Sequence, residues 1–298
     1  MDWTSQVAGC IYVVFGYLPL PLYLRIVWVL LTNPRFRKHQ CYMLMAQISI
    51  SDCFIIAGEA TFGVSILLNH KILAFVEYVV IPMFCSAWMA MLAVNMVLAV
   101  NRLIVLCEIE ISNRLLWVLN LFSWIFGLFF LVSYTSRYAP MTLVDDLTIF
   151  YDQSKPFAKV VEAIELYSSL GMLGTTFLIY LYILVYLIRK RLKFFVTIST
   201  ISSVDIKLLI QGLLVFVSGN LLELSWNFES YFLPDSKWTG IVINTAFILH
   251  CGWINPILGL ILNRQIRDAV LSSTSVGLEL FKARVRLPLA CNKVAASI

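Results

Sequence analysis

The stretch YVVIPMFCSAWMAMLAVNMVLAVNRLIV, Tyr78–Val105, carries no charge until Arg102. A bilayer core of roughly 30 Å is crossed by about 20 apolar residues at a helical rise of about 1.5 Å each. Every backbone donor and acceptor at that depth must pair within the segment, so this stretch is a membrane helix. Six more stretches of the same character surround it: Val7–Leu31, Tyr42–Leu67, Leu115–Tyr134, Leu166–Leu187, Leu208–Trp226 and Trp238–Leu262. Together the seven stretches take up just over half of the 298-residue chain. Membrane β-strands would be shorter and would alternate, and no long-range alternation is present. The sequence predicts an all-α membrane protein, a single seven-helix bundle over residues 1–298 with a tail over 263–298.

The composition agrees: 60% hydrophobic, 13% charged, mean hydropathy +0.87. The net charge of +5 follows the membrane and gives no nucleic-acid signature. Sixteen of the 22 Lys and Arg residues fall on one side, among them Arg35, Arg37, Lys38, Arg102, Arg114, Arg189–Lys193, Lys207 and the tail. Lys71, Arg137, Lys155, Lys159 and Lys237 fall on the other, with most of the acids, and Arg25 lies within the first span. The positive-inside rule then predicts an external amino terminus and a cytoplasmic tail. No basic n-region or small-residue cleavage site precedes the first span, so no cleaved signal peptide is expected.

Seven cysteines lie mostly in spans or on the basic side, where disulfides are disfavoured, and none has zinc-type spacing. No metal site or cofactor is expected. His39, His70 and His250 fall in two opposite loops and a span, so the convergent groups an enzyme needs are missing.

Ionisable groups at bilayer depth cost a few kcal/mol each, so each needs a partner or a task. Asp52 lies mid-span, too deep for a carboxylate to reach water. Glu59 follows two helical turns outward on nearly the same face. Asn220, Glu223 and Asn227 form a polar stripe on the sixth span, beside Trp226, and His250 joins them from the seventh. These groups either hydrogen-bond between helices or line a cavity open to the outside.

The seventh span ends Asn255-Pro256-Ile257-Leu258-Gly259-Leu260-Ile261-Leu262-Asn263-Arg264-Gln265-Ile266-Arg267. Pro256 removes a backbone donor, which predicts a kink that Asn255 helps to satisfy. Beyond Asn263 the pattern turns amphipathic and predicts a short helix on the membrane surface. The third span ends Val100-Asn101-Arg102-Leu103. With Asp52, these stretches resemble the rhodopsin-like G-protein-coupled receptors, in which the arginine meets a partner's helix. Departures are present too: Asn101 replaces an acid, Gly259 replaces a tyrosine, and the sixth span has no proline.

Those departures resemble the nematode serpentine chemoreceptors, class T most closely. The likeness runs through Gly16–Tyr23, Cys41–Met45 leading to Asp52, Leu98–Arg102, Ile210-Gln211 and Asn263–Leu271. It implies a chemosensory receptor in a plasma membrane, ciliary where the likeness extends that far, coupled to a heterotrimeric G protein. The expected mechanism follows. A small external molecule enters between the second, third, sixth and seventh spans and contacts some of Glu59, Asn220, Glu223, Asn227 and His250. The inner end of the sixth span then moves. The exposed crevice, with Arg102, Asn101, Asp52, Asn255 and Pro256 as its signalling residues, receives the G protein. The basic loop Arg189, Lys190, Arg191 and Lys193 edges that crevice and also attracts anionic lipid. The alternative is a seven-span transporter or proton- or ion-conducting protein using Asp52 and Glu59 as a relay, although no inverted repeat is visible.

Overall fold

The computed structural model describes residues 3–69, 72–136, 138–144, 148–193, 203–234 and 236–272. Seven helices in it are long and apolar enough to cross a bilayer: Trp3–Thr32, Gln40–Leu67, Val76–Leu106, Arg114–Thr135, Ala158–Lys190, Leu209–Phe228 and Lys237–Leu262, spans 1 to 7 below. With seven such spans among the described residues, Trp3 and Leu262 lie at opposite ends of the bundle. Span 3 is the axis of the bundle, 67% buried among its neighbours, whereas span 4 is 22% buried. Trp117, Val118, Leu121 and Phe122 of span 4 point outward, as side chains facing lipid do.

Prolines shape three of the spans. Span 1 is two helices, Trp3–Tyr17 and Leu20–Thr32, meeting at Pro19. Span 3 opens with a π-helical turn, Val76–Val80, just before Pro82. Span 7 contains a second, His250–Ile254, just before Pro256. A π-turn widens the helix where proline withholds its donor, so the kink expected at Pro256 takes this form.

Span 5 begins at Ala158, earlier than the Leu166 that hydropathy suggested. Glu162 and Glu165 lower the hydropathy of this first stretch, but the helix continues because Glu165 finds donors inside the protein. The connection from span 4 to span 5 covers residues 136–157. It contains an antiparallel hairpin, β1 (Met141–Val144) and β2 (Thr148–Tyr151), with Met141 opposite Tyr151. Met141 and Ile149 are buried, so the hairpin packs down on the bundle. Asp152 accepts from the Ser154 hydroxyl at 2.6 Å and its amide at 3.0 Å. Those bonds hold its carboxyl below the ordinary carboxylate range and fix the turn into span 5.

At the opposite end, residues 264–272 form the expected short helix. Asn263 caps it, its Oδ1 accepting from the amides of Gln265 and Ile266 at 3.1 and 3.2 Å. Ile266 and Val270 pack against Ile26, Leu30, Phe36 and Tyr42, while Arg264 stays exposed. The two ends are called the hairpin end and the arginine end below. Phe194, Phe195, Cys291, Lys282, Arg284, Arg286, Lys293, His70, Lys71, Arg137, Asp145, Asp146 and Asp235 lie outside the described residues, as do the side chains of Arg191 and Lys193.

Spans 1 and 2 touch through glycines. A Cβ on Gly16 would lie 2.8 Å from Ala60 Cβ and 2.9 Å from the Ile56 carbonyl. One on Gly63 would lie 2.8 Å from Tyr12 Cβ and 2.9 Å from the Gly9 carbonyl. Small residues allow this approach, and packing rather than a hydrophobic drive holds helices together in lipid. Gly16→Ala is expected to destabilise the detergent-solubilised protein by about 1–3 kcal/mol through overpacking. Gly171→Ala, with nothing within 4 Å, is expected to be neutral or mildly stabilising. Equal melting temperatures for the two variants would contradict the glycine contact.

Candidate functional site

Three groups of buried polar side chains follow one another along span 3, from the hairpin end to the arginine end. The middle one is built on Asp52, which is fully buried. Its Oδ2 accepts from Asn255 Nδ2 at 2.9 Å and lies 3.1 Å from the Tyr23 hydroxyl. Tyr23 also donates to the Cys251 carbonyl. Pro256 explains that second contact. In the π-helical register the Cys251 carbonyl would take its bond from residue 256, which has no N–H, and Tyr23 supplies a donor instead. Spans 1, 2 and 7 are thus joined at one point.

At the hairpin end, one cavity is lined by Glu59 of span 2, Trp88 of span 3, Glu165 of span 5, Glu223 and Trp226 of span 6, and Asn244 and Phe247 of span 7. Met141 and Ile149 of the hairpin also line it. Glu165 accepts from Tyr134 at 2.8 Å and from Tyr151. Burial, and then the nearby Glu165 carboxylate, hold the Tyr151 phenol well above its ordinary pKa, so it remains a donor. Glu223 accepts from Trp88 Nε1 at 3.0 Å and from Asn227 Nδ2 at 3.2 Å. Glu59 is different: it is 4% exposed, and its Oε2 has no hydrogen-bond partner.

A second cavity continues from Trp88 and His250 past Asp52, Asn95 and Asn255 to Arg102 at the arginine end. Trp88 lines both cavities, its ring 4.7 Å from Phe247 and 6.2 Å from His250. Arg102 is buried and donates from Nη1 to the Tyr180 hydroxyl of span 5 at 2.7 Å. Its guanidinium lies against Gly212 of span 6, in the space a Cβ there would fill. Asn101, beside it, is buried as well. Arg102 is therefore held in the crevice by span 5, where no acid precedes it to do so.

The structure brings together Glu59 and Glu223, and Asp52 with Asn255. It does not gather the rest of the expected ligand set. Asn220 donates to the Phe216 carbonyl of its own helix at 2.7 Å and lines neither cavity. Asn227 braces Glu223 from behind. His250 faces the inner cavity, one helical turn too deep for the hairpin-end one. The expected entrance between spans 2, 3, 6 and 7 also gains span 5 and the hairpin. Of the basic loop, Lys190 pairs with Glu108 at 2.8 Å and Arg189 is exposed. Sequence reading missed Glu165 because it falls one residue before the fifth span, Leu166–Leu187, as hydropathy draws it. Trp88, Tyr180 and Gly212 gave no signal, since aromatic and small residues are ordinary in membrane helices, and Tyr23 stood out only as the end of the Gly16–Tyr23 likeness.

Seven spans, a surface helix after the last, and a buried arginine closing span 3 define a G-protein-coupled-receptor-like membrane protein. The crystal structure of squid rhodopsin has this fold, with a TM-score of 0.72 at 11% identity, covering 91% of this chain and 80% of that one. No match was found among curated protein sequences. The profile of the serpentine type 7TM GPCR chemoreceptor Srt family matches residues 2–277, and the chain belongs to that family. Family and fold together make it a multi-pass membrane protein, a GPCR-like chemoreceptor.

Tyr23→Phe would leave the Cys251 carbonyl without its hydroxyl donor and Asp52 with one partner fewer. The expected cost is about 1–3 kcal/mol, the penalty for a buried polar group left unpaired. Thermal unfolding in detergent measures it, and an unchanged melting temperature would remove Tyr23 from the junction.

Proposed function

We propose that this chemoreceptor takes an external small molecule in the hairpin-end cavity and passes the event to a heterotrimeric G protein at the arginine end. The hairpin end then faces outside and the arginine end the cytosol, as the excess of Lys and Arg at that end supports. The plasma membrane is the expected location. One observation carries the reading: Trp88 is shared by both cavities and donates to Glu223 of span 6. A ligand that engages Glu223 or displaces the indole alters a contact between spans 3 and 6, the two spans that also meet at Arg102 and Gly212.

The closed crevice is one arrangement, and a second has Arg102 released and span 6 moved outward. A ligand shifts the balance only by its difference in affinity for the two. In the open arrangement Arg102 is free to meet carbonyls at the end of a G-protein helix. Arg189, which is exposed, then meets the partner or anionic headgroups.

Two substitutions with opposite outcomes test this in cells expressing the chain with a G-protein activation reporter. Arg102→Ala is expected to abolish ligand-evoked signal while surface expression persists. Gly212→Ala places a methyl group where the guanidinium lies and weakens a charged hydrogen bond worth about 1.5–3 kcal/mol. Basal signalling should rise about tenfold or to saturation. Full signalling by Arg102→Ala, or an unchanged basal level in Gly212→Ala, would contradict the mechanism.

A further inference from the structure

Three carboxylates share the hairpin-end cavity, and among the described residues no Lys, Arg or His lines it. Ionised carboxylates out of water are costly unless paired and hydrogen-bonded. Two of the three have donors: phenols on Glu165, and an indole and an amide on Glu223. Those donors are neutral. Glu59 lacks a partner for Oε2 altogether, although it is more than nine-tenths buried and lines the cavity. The lining therefore leaves acceptor capacity unspent and, among the described residues, supplies no balancing positive charge.

The rest of the lining narrows what can supply both. Trp88, Trp226, Phe84 and Phe247 give aromatic walls, with Ile55, Met141 and Ile149 completing an apolar cage. Trp226 packs against Phe247 edge-on at 5.9 Å, so its neighbour's face is held in place. Aromatic faces attract cations through the ring quadrupole. A bare metal ion does not fit, because among the described residues no three acidic, Cys or His side chains converge to hold one. An anion would meet three acids, and a neutral alcohol would bring a hydroxyl but no charge.

Resting on the reading of this cavity as the ligand site, we propose that it recognises an organic ammonium: a protonated amine on an apolar or aromatic body, paired with Glu59. The ammonium donates to the open Glu59 oxygen and has further N–H groups for Glu223 or Glu165. The apolar body lies among the aromatic walls. Engagement of Glu223 competes with the Trp88 indole, which links recognition to the contact between spans 3 and 6.

The test uses purified full-length receptor in detergent and ligand-induced thermal stabilisation, which reads binding without any G protein. The probes share one skeleton: 2-phenylethylamine, 2-phenylethanol and phenylacetate, with isoamylamine as a smaller amine. The amines should stabilise the protein, and the alcohol and the acid should not. Glu59→Gln should weaken amine binding by about tenfold or more, the scale of losing one charged contact. Glu59→Asp, which keeps the charge, should retain part of it, so simple misfolding of one variant is distinguished. Stabilisation by the alcohol or the acid, amine binding unaffected by Glu59→Gln, or no binding of either amine would overturn the proposal. Amine binding that leaves the G-protein reporter silent would instead sink the signalling function and leave the ligand class standing.

Discussion

A carboxylate inside a slab of hydrocarbon must find its donors in the protein, and most of this fold's internal geometry answers that demand. Asp52 draws Tyr23 and Asn255 to itself, so the broken span 1 and the π-turn of span 7 close on one point. Glu165 draws Tyr134 and Tyr151, which ties the hairpin to the top of spans 4 and 5. Glu223 draws Trp88 and Asn227 and joins span 6 to the central helix. Since lipid tails give little reason for helices to associate, such bonds and close small-residue packing carry the cohesion that a water-driven core supplies elsewhere. Glu59 is the exception among the carboxylates of the hairpin-end cavity, its Oε2 having no hydrogen-bond partner.

The same constraint gives the arginine end its character. Arg102 has no acid before it, and Tyr180 with the gap at Gly212 takes that role. A neutral phenol restrains a guanidinium less than a carboxylate does, because the bond is charged on one side only.

Much of the architecture was readable from the chain alone. Runs such as Tyr78–Val105 are too apolar to be anything but membrane helices, and the amphipathic turn after Asn263 announces the surface helix. Asp52 stood out because a carboxylate at that depth is costly and Asn255 because it precedes Pro256; the Asn255 amide turns to Asp52, and the two are partners. Other parts were not readable, for physical reasons. Glu165 sits where apolar sequence gives way to loop, and only its two phenol donors show that it is inside. Each hairpin strand has four residues, too few for alternation to show. Tyr180 and Gly212 act through proximity across helices distant in sequence. Asn220 shares a helical face with Glu223, but its amide turns back to its own backbone.

The central claim is that the Trp88–Glu223 bond near one end of the bundle and the Arg102 crevice at the other are mechanically joined. Spin labels introduced as unnatural amino acids at Ile109 and Lys207 report the separation of spans 3 and 6 at the arginine end. Pulsed electron-electron resonance without ligand should give one short distance in the parent protein and an added longer population in Trp88→Phe, which lacks the indole donor. Identical distance distributions for the two proteins would contradict the account.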